Sequence, residues 1–240
     1  MTPPLFLVDR LPTAGEFVLD GDEGRHGARV LRLRAGEVVL VADGLGALLD
    51  CEVLGVEGDA LRLHVRDART EPVPRPRLVV VQALPKGERA ELAVEVLTEL
   101  GVDEIVPWAA SRSIVRWDGP RGRKSLEKWR QTARTAAKQS RRARVPVVTD
   151  LASTDDLRAH CPTAFVLHED ATTPLTTVAL PDADELVLIV GPEGGLAPDE
   201  VARFTADGAT EVRLGEPVLR TSTAGAAALA VLSTRLGRWA

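Results

Sequence analysis

After residue 77, short apolar runs of strand length alternate with longer segments whose apolar residues recur at helical spacing. Such alternation is typical of a largely parallel sheet that is covered by helices on both faces. Because parallel strands end at the same edge of a sheet, the loops that follow them are expected to converge there. The predicted strands lie at residues 78–83, 104–107, 146–148, 164–167, 185–190 and 211–214, and the predicted helices at 88–100, 123–142, 198–206 and 223–236. Residues 78–240 are therefore predicted to form an α/β domain.

The helix predicted at 88–100 has an apolar stripe and a stop signal. Leu92, Val96 and Leu100 lie one helical turn apart, so we expect them to face the core. Gly101 directly follows, and glycine is the preferred residue just past a helix C-terminus.

The first 71 residues follow a different pattern, which predicts a small β module. Strands are expected at residues 37–42, 48–56 and 60–65, and in the last of them apolar and polar residues alternate with a period of two. Gly58 and Asp59 supply a hairpin turn between the last two strands. Residues 72–77 read PVPRPR and predict a stiff linker, so we place the domain boundary there.

Charge is distributed unevenly along the 240 residues. The formal net charge is -5, yet residues 112–144 carry 12 basic and two acidic side chains, a net +10, which leaves -15 for the remainder. The predicted helix at 123–142 has a basic face opposite an apolar one, and a second basic group, residues 25–34, lies near the N-terminus. A basic segment on an acidic protein favours a phosphate-rich partner such as nucleic acid. The alternative is a solvated helix face.

Several classes of protein are disfavoured by what the sequence lacks. Cys51 and Cys161 are far apart and form no CxxC, and the four histidines have no metal-ligand spacing, so we expect buried reduced thiols and no metal. The GxSxG, GxGxxG and GxxxxGK[ST] motifs do not occur. No apolar run approaches the ~20 residues that cross a bilayer, and the N-terminal residues lack a secretory pattern. A soluble, cytoplasmic protein is expected.

Two predicted strand-to-helix loops could carry chemistry. Residues 191–195 read GPEGG, where glycines allow close backbone approach and Glu193 offers a carboxylate to hydroxyls or a cation. Residues 214–223 read LGEPVLRTST and lead into a helix that begins with small residues. The alternatives are a tight turn that needs glycine only for its backbone angles, helix capping by Thr221, Ser222 and Thr223, and plain helix packing.

These two loops together make the chain recognisable. LVLIVGPEGGLAPDEVARF followed by VRLGEPVLRTSTAGAAALAVL resembles the paired C-terminal motifs of the RsmE family, which methylates 16S rRNA. The resemblance to this family covers nearly the whole chain. It extends to further segments that include LPKGERAELAVEVLTELGVDEIVPW, SRSIVRW, KWRQTARTAAKQS and RVPVV. The family usually reads LRTETA and EQSGR where this chain reads LRTSTA and KQSRR.

The resemblance implies a fold, a cofactor and an activity. It implies a PUA-like RNA-binding β-barrel at residues 1–71, a SPOUT methyltransferase domain with a trefoil knot at 78–240, and an obligate homodimer. S-adenosyl-L-methionine is the implied cofactor, and the implied reaction is N3-methylation of uracil 1498 in 16S rRNA of the small subunit. A related enzyme that acts on tRNA or another rRNA base, or a non-catalytic RNA-binding protein, is the alternative.

The resemblance also implies site residues. The cofactor is expected against Leu167, His168, Gly191, Glu193, Gly194, Leu214, Gly215, Leu219, Thr221 and Ala224. The two basic groups of the sequence, in turn, predict RNA contacts at Arg25, Arg29, Arg32, Lys124, Lys128, Lys138, Arg141 and Arg142. Arg220 is the catalytic candidate, because a guanidinium could stabilise charge on the uracil oxygens. The alternative for Arg220 is an ion pair with Glu193 that holds the two loops together.

Overall fold

The computed structural model describes residues 2–13 and 15–239. These residues divide into two compact units. The first comprises the described part of Met1–Val73 together with Ala137–Val145, and the second comprises Pro74–Ala136 together with the described part of Pro146–Ala240. The sequence pattern placed residues 137–145 in the second domain, whereas these residues pack with the first unit.

The first unit is built on a five-stranded sheet. Its strands are β1 (Leu5–Leu7), β2 (Glu16–Leu19), β3 (Val38–Ala42), β4 (Ala47–Glu57) and β5 (Ala60–Thr70), with a short helix α1 (Gly21–Arg25) that continues into a π-helical turn (His26–Val30). The order is β1-β3-β4-β5-β2, in which only the β1–β3 pair is parallel. The hairpin at Gly58 joins β4 to β5 as predicted, while β1, β2 and α1 were not predicted. One face of the sheet buries a core that includes Phe6, Val41, Cys51 and Leu61.

The second unit contains a six-stranded parallel sheet, as predicted. Its strands are β6 (Arg77–Ala83), β7 (Glu104–Trp108), β8 (Val147–Val148), β9 (Ala164–Leu167), β10 (Glu185–Val190) and β11 (Thr210–Val212), in the order β11-β9-β10-β6-β7-β8. The helices are α2 (Arg89–Glu99), α3 (Gly119–Gln139), whose last residues belong to the first unit, α4 (Pro198–Ala206) and α5 (Thr221–Arg235), with a 3-10 segment at Asp155–Thr163.

Both faces of the central strands are buried, which explains their continuous apolar sequences. On one face, Val187 and Ile189 of β10 pack in a cluster that includes Phe204 of α4 and Leu157 of the 3-10 segment. On the other face, helix α5 crosses β10 and β6 and also packs against α2. The side chains of Leu186, Leu188 and Val190 are at most 1% exposed, so the strand is covered on both sides.

The buried stripe of α2 differs from the predicted one. Leu92 is 44% exposed, and α2 instead buries Ala93, Val94, Leu97 and Thr98. The two stripes are rotated by about one residue, or 100°, and both have apolar residues at i and i+4 spacing. Helix α2 packs against α5, and Leu97 of the buried stripe lies beside Gly225 of α5, a tertiary contact that the sequence period of α2 alone does not predict.

Helix α3 starts and stops earlier than the predicted 123–142. It begins at Gly119, where Pro120 occupies the first turn and requires no amide partner. It ends because Arg141 adopts a left-handed conformation with φ 58°. The amides of Arg141 and Arg142 then bond back to the carbonyls of Lys138 and Ala137, which is a helix-terminating pattern that usually uses glycine.

Both cysteines are buried and unpaired, as predicted. Burial, assisted by the carboxylate of Asp50, raises the pKa of the Cys51 thiol to about 12. Burial likewise raises the pKa of Cys161. Neither thiol is therefore a nucleophile at neutral pH. In the part of the chain that the structure describes, no helix is long and apolar enough to cross a membrane, and no group of His, Cys, Asp or Glu is arranged to hold a metal ion.

Candidate functional site

A cavity of about 1300 Å³ lies in the second unit, where the loops after β6, β9, β10 and β11 meet. These are neighbouring strands in the sheet, and their carboxyl ends form the edge at which α/β sheets bind ligands. The cavity wall includes Arg220 and every residue that the resemblance assigns to the cofactor, namely Leu167, His168, Gly191, Glu193, Gly194, Leu214, Gly215, Leu219, Thr221 and Ala224. The structure thus brings together residues from three separate stretches of sequence.

The glycine loop, residues 191–195, connects β10 to α4 and needs glycine at two positions. Gly195 has φ +71°, a left-handed conformation that side chains disfavour. A Cβ atom at Gly194 would lie 3.2 Å from the backbone oxygen of Arg112, so the loop and the segment after β7 approach closely. Glycine at position 195 therefore allows the turn, and glycine at position 194 allows the loop to pack closely against Arg112.

Contacts from neighbouring loops hold the glycine loop in place. The carboxylate Oε1 of Glu193 accepts the backbone N–H of Lys86 at 3.0 Å. The Nη1 of Arg112 donates to the carbonyl of Leu196 at 3.1 Å and to that of Gly194 at 3.4 Å. The side chain of Glu193 is thus engaged with the loop after β6.

A buried polar network joins the start of α5 to the ends of β6 and β10. The hydroxyl of Thr221 donates to the carbonyl of Gly191. The Nε2 of Gln82 donates to Thr221 Oγ1 at 3.2 Å, and the same nitrogen reaches the carbonyl of Ala83 at 3.0 Å. Thr221 does not cap α5 with its side chain, so its hydroxyl serves to connect the two loops.

Arg220 stands at the N-cap position of α5 with extended backbone angles. Its carbonyl accepts the amides of Thr223 and Ala224 at 2.9 Å, which fixes the backbone, while the residue as a whole is exposed. Among the described residues, the guanidinium has no hydrogen bond or ion pair, and the suggested pair with Glu193 does not form. The cation is therefore left available at the cavity wall.

His168 follows β9 and lies beside acidic groups. Its Nδ1 accepts the backbone N–H of Asp170 at 3.3 Å and lies 3.9 Å from a carboxylate oxygen of Glu211. The side chain is 22% exposed, so one part of the ring packs against the protein while another faces the cavity. Leu167 lies next to it and adds an apolar surface.

The basic residues of the first unit that are predicted to contact RNA differ in solvent exposure and in ion pairing. Arg29 forms an ion pair of 2.6 Å with Asp59, and Arg25 lies 4.0 Å from the same carboxylate and 3.5 Å from Asp22. These pairs are exposed, as is Arg32, whose φ is 53°. The side chain of Lys138 is only 19% exposed, because its ammonium pairs with Glu23 at 2.6 Å and lies 5.4 Å from the centre of the Phe6 ring.

The remaining predicted RNA contacts lie along α3 and just after it. In the second unit, Lys124 is exposed and has no partner among the described residues, whereas Lys128 pairs with Glu91 at 2.8 Å. In the first unit, Arg141 is exposed and Arg142 is half-buried. Lys124, Lys128 and Arg141 are thus the exposed side chains of this set, and Lys128 is the one that is held in an ion pair.

Three residues near the cavity were not assigned a role from sequence. Arg112 and Gln82 hold the loops described above, and Glu200 is a buried carboxylate in the first turn of α4. Arg112 lies within SRSIVRW, one of the segments that carry the resemblance, so the sequence offered a signal for this position. Glu200 lies three residues after Ala197, the spacing of a helix capping box.

Comparisons with known proteins agree with this architecture. A protein-family model for the RNA methyltransferase domain matches residues 71–233. A second family model, for the RNA methyltransferase PUA domain, matches residues 19–65. Ribosomal RNA small subunit methyltransferase E of Mycobacterium tuberculosis is 47% identical over an alignment that covers 100% of this chain and 94% of the relative. The protein of the same name from Bacillus subtilis is 30% identical, over an alignment that covers 94% of this chain and 91% of the relative.

Solved structures give the same result. Ribosomal RNA small subunit methyltransferase E from Neisseria gonorrhoeae, crystallised bound to S-adenosyl methionine, superposes with a TM-score of 0.85 at 28% identity and 98% coverage of both chains. The unit with the five-stranded sheet contains the PUA match, and the parallel sheet lies within the methyltransferase match. This chain belongs to the ribosomal RNA small subunit methyltransferase E family.

Proposed function

We propose that the protein transfers a methyl group from S-adenosyl-L-methionine to N3 of a uracil in 16S rRNA, position 1498 by the resemblance. The observation that carries the proposal is the cavity of about 1300 Å³ at the carboxyl ends of four neighbouring parallel strands. It gathers the residues that the resemblance assigns to the cofactor, and its wall includes Arg220, whose guanidinium has no partner among the described residues. The cofactor named for the Neisseria gonorrhoeae relative supports this assignment.

The residues around the cavity fit S-adenosyl-L-methionine. Residues 191–195 of the glycine loop line the cavity, and Leu167, Leu214 and Leu219 offer apolar surface suited to an adenine ring. The volume of about 1300 Å³ exceeds the roughly 300–1,000 Å³ of usual ligand pockets, so a nucleobase can enter beside the cofactor. We therefore assign the ten cavity residues of the resemblance to cofactor binding.

S-adenosyl-L-methionine supplies a methyl carbon that its sulfonium already activates, so no cysteine nucleophile is required. The uracil N3 carries a proton and becomes nucleophilic as that proton passes to solvent water and negative charge spreads onto O2 and O4. Arg220 is the residue we assign to these oxygens, because its guanidinium stays charged and has no competing partner among the described residues. Its backbone is fixed by the first turn of α5, which limits reorganisation.

The RNA is proposed to contact exposed basic side chains outside the cavity. Lys124, Arg141 and Arg32 are exposed, and Arg25, Arg29 and Lys128 form surface ion pairs that are weak enough to exchange for phosphate. Arg142 remains a proposed contact. Lys138 is mostly buried and paired, and we assign it to the stability of the first unit. A trefoil knot, a homodimer and a cytoplasmic location complete the proposal.

Binding and transfer assays test the proposal. Calorimetry with S-adenosyl-L-methionine is expected to show saturable binding, and labelled methyl groups are expected to enter 16S rRNA of small subunits that lack the modification. Absence of saturable binding would favour a non-catalytic RNA-binding protein. Methylation of tRNA, or of a base other than uracil, would favour the related-enzyme alternative.

A further inference from the structure

Glu200 is a buried carboxylate that joins three chain segments next to the cavity. It is 3% exposed and lies in the first turn of α4. Its Oε2 accepts the N–H of Ala197 at 3.2 Å, and its Oε1 accepts the N–H of Ser111 at 2.8 Å and the hydroxyl of Thr154 at 3.2 Å. An ionised carboxylate only accepts, so all three bonds are satisfied together. Burial of such a group is costly unless its oxygens are paired in this way.

The hydroxyl of Thr154 has a fixed direction within this network. The indole Nε1 of Trp108 donates to Thr154 Oγ1 at 3.2 Å, which leaves the hydroxyl proton for Glu200. Trp108 is fully buried at the end of β7 and packs edge-on against Phe204 of α4 at 5.4 Å. The carboxylate is thereby held by the hydrophobic core as well as by its hydrogen bonds.

Arg112 connects the segment after β7 directly to the glycine loop. Its Nη1 reaches the carbonyls of Leu196 and Gly194, and its own backbone oxygen would lie 3.2 Å from a Cβ at Gly194. Arg116 supports the same segment, since its guanidinium donates to the carbonyl of Ala110 at 3.3 Å and to that of Ser111 at 3.1 Å. The C-terminal end of the glycine loop and the residues that follow it are therefore tied to residues 110–112.

We propose that Arg112 and Glu200 are positioning residues that hold the glycine loop in its binding conformation before the cofactor arrives. A loop with three glycines has unusual backbone freedom, and ordering it upon binding would weaken affinity. Arg112 acts through backbone carbonyls, and Glu200 acts through the amides of Ser111 and Ala197. The identity of the ligand rests on the proposed function, whereas the order of the loop does not.

Hydrogen exchange of the cofactor-free protein tests the loop itself. The amide of Gly195 donates to the carbonyl of Pro192 at 2.9 Å and reports on loop opening. Arg112→Ala and Glu200→Gln are expected to speed exchange across residues 191–197 by about tenfold or more. Arg112→Lys should restore much of the protection, because an ammonium can still donate to a carbonyl. Glu185→Gln, at the opposite end of β10, is the control and should leave loop exchange unchanged.

Cofactor affinity provides the second readout. Arg112→Ala and Glu200→Gln are expected to raise the Kd for S-adenosyl-L-methionine about tenfold, while turnover at saturating cofactor falls less than about threefold. Arg112 is exposed, so Arg112→Ala keeps the proposal testable if Glu200→Gln fails to fold. Unchanged exchange and affinity in Arg112→Ala, or an equal loss in Glu185→Gln, would overturn the proposal. Failure of the wild-type protein to bind would refute the proposed function, and the exchange result would still decide the role of these residues.

Discussion

The resemblance identified the residues of the cavity wall, but the sequence did not reveal how their side chains are used. Thr221 was a candidate for helix capping and for cofactor binding. Its hydroxyl does not cap α5 but bonds to Gly191 and Gln82, and its contact with the cofactor stays a prediction. Glu193 was a candidate partner for Arg220, and it instead accepts an amide of the loop after β6. Such pairings depend on distances between segments that are far apart in sequence, so spacing and residue type do not predict them.

Arg220 provides the most specific test of the chemistry. Arg220→Lys keeps the charge but loses the planar fork of donors, and Arg220→Ala loses both. Turnover on small subunits is expected to fall about 10²-fold in Arg220→Lys and further in Arg220→Ala, with cofactor affinity within about threefold of the wild type. Calorimetry and initial-rate measurements separate the two effects. Full turnover in both variants would exclude the role in charge stabilisation.

Sequence periodicity predicted the sheet better than it predicted helix faces and ends. The strands β9 and β10 and the helix α4 have the bounds predicted for them, because buried parallel strands are apolar throughout and Pro198 marks the start of α4. The predicted buried stripe of α2 was wrong because the helix has apolar residues on two adjacent faces, and tertiary contacts determine which face is buried. The end of α3 was missed because arginine rarely adopts the left-handed conformation of Arg141.

Strand β10 carries the glycine loop at one end and a charge cluster at the other. The first residue of β10 is Glu185, whose carboxylate accepts a hydrogen bond from the guanidinium of Arg77 at 2.7 Å and is hydrogen-bonded to Nδ1 of His160 at 3.0 Å. Burial opposes ionisation of the carboxyl, but these hydrogen bonds and charges outweigh it and lower the pKa of Glu185. Arg77 also pairs with Glu104 at 3.1 Å, and the bond to Glu185 raises the pKa of Arg77. The cluster thus ties the starts of β6, β7 and β10 together.

This cluster predicts a dependence of stability on pH. The pKa of Glu185 is lower in the folded state than in the unfolded state. The ionised carboxylate therefore contributes fully to the free energy of unfolding at pH values above the ordinary carboxyl range. This contribution is lost as pH falls through the folded-state pKa. Glu185→Gln is expected to lower Tm near neutral pH and to flatten the decline of Tm as pH falls below the ordinary carboxyl range. Glu95→Gln, an exposed carboxyl without a partner among the described residues, should keep the wild-type profile. An unchanged acid limb in Glu185→Gln would contradict the assignment.

Helix α3 allows a test of RNA binding through salt. If Lys124 contacts a phosphate, Lys124→Gln should reduce the slope of log K for rRNA against log salt by about 0.7–0.9. Arg158→Gln is the control, since that exposed arginine is bonded to Asp207 at 3.1 Å and is not a proposed RNA contact. Filter binding across a range of salt concentrations gives both slopes. Equal slopes for Lys124→Gln and the wild type would indicate a solvated helix face.

The proposed homodimer rests on the resemblance. The alanine-rich helix α5 does not offer its apolar side to a second copy, because Ala226, Ala228, Leu229 and Leu232 are buried within the chain itself. Sedimentation velocity is expected to show a species of twice the 25.7 kDa chain mass at micromolar concentration. A monomer that persists as concentration rises would contradict the proposal.

At the scale of the whole molecule, we propose that the cavity in the second unit is where a uracil of small-subunit rRNA is methylated. The most direct measurement is mass mapping of nucleosides from 16S rRNA after incubation of unmodified small subunits with the purified protein and S-adenosyl-L-methionine. We expect 3-methyluridine at a single position with the wild type, and a yield more than about 10²-fold lower in the same incubation time with Arg220→Ala. A different methylated nucleoside, or 3-methyluridine formed equally well by Arg220→Ala, would contradict this proposal.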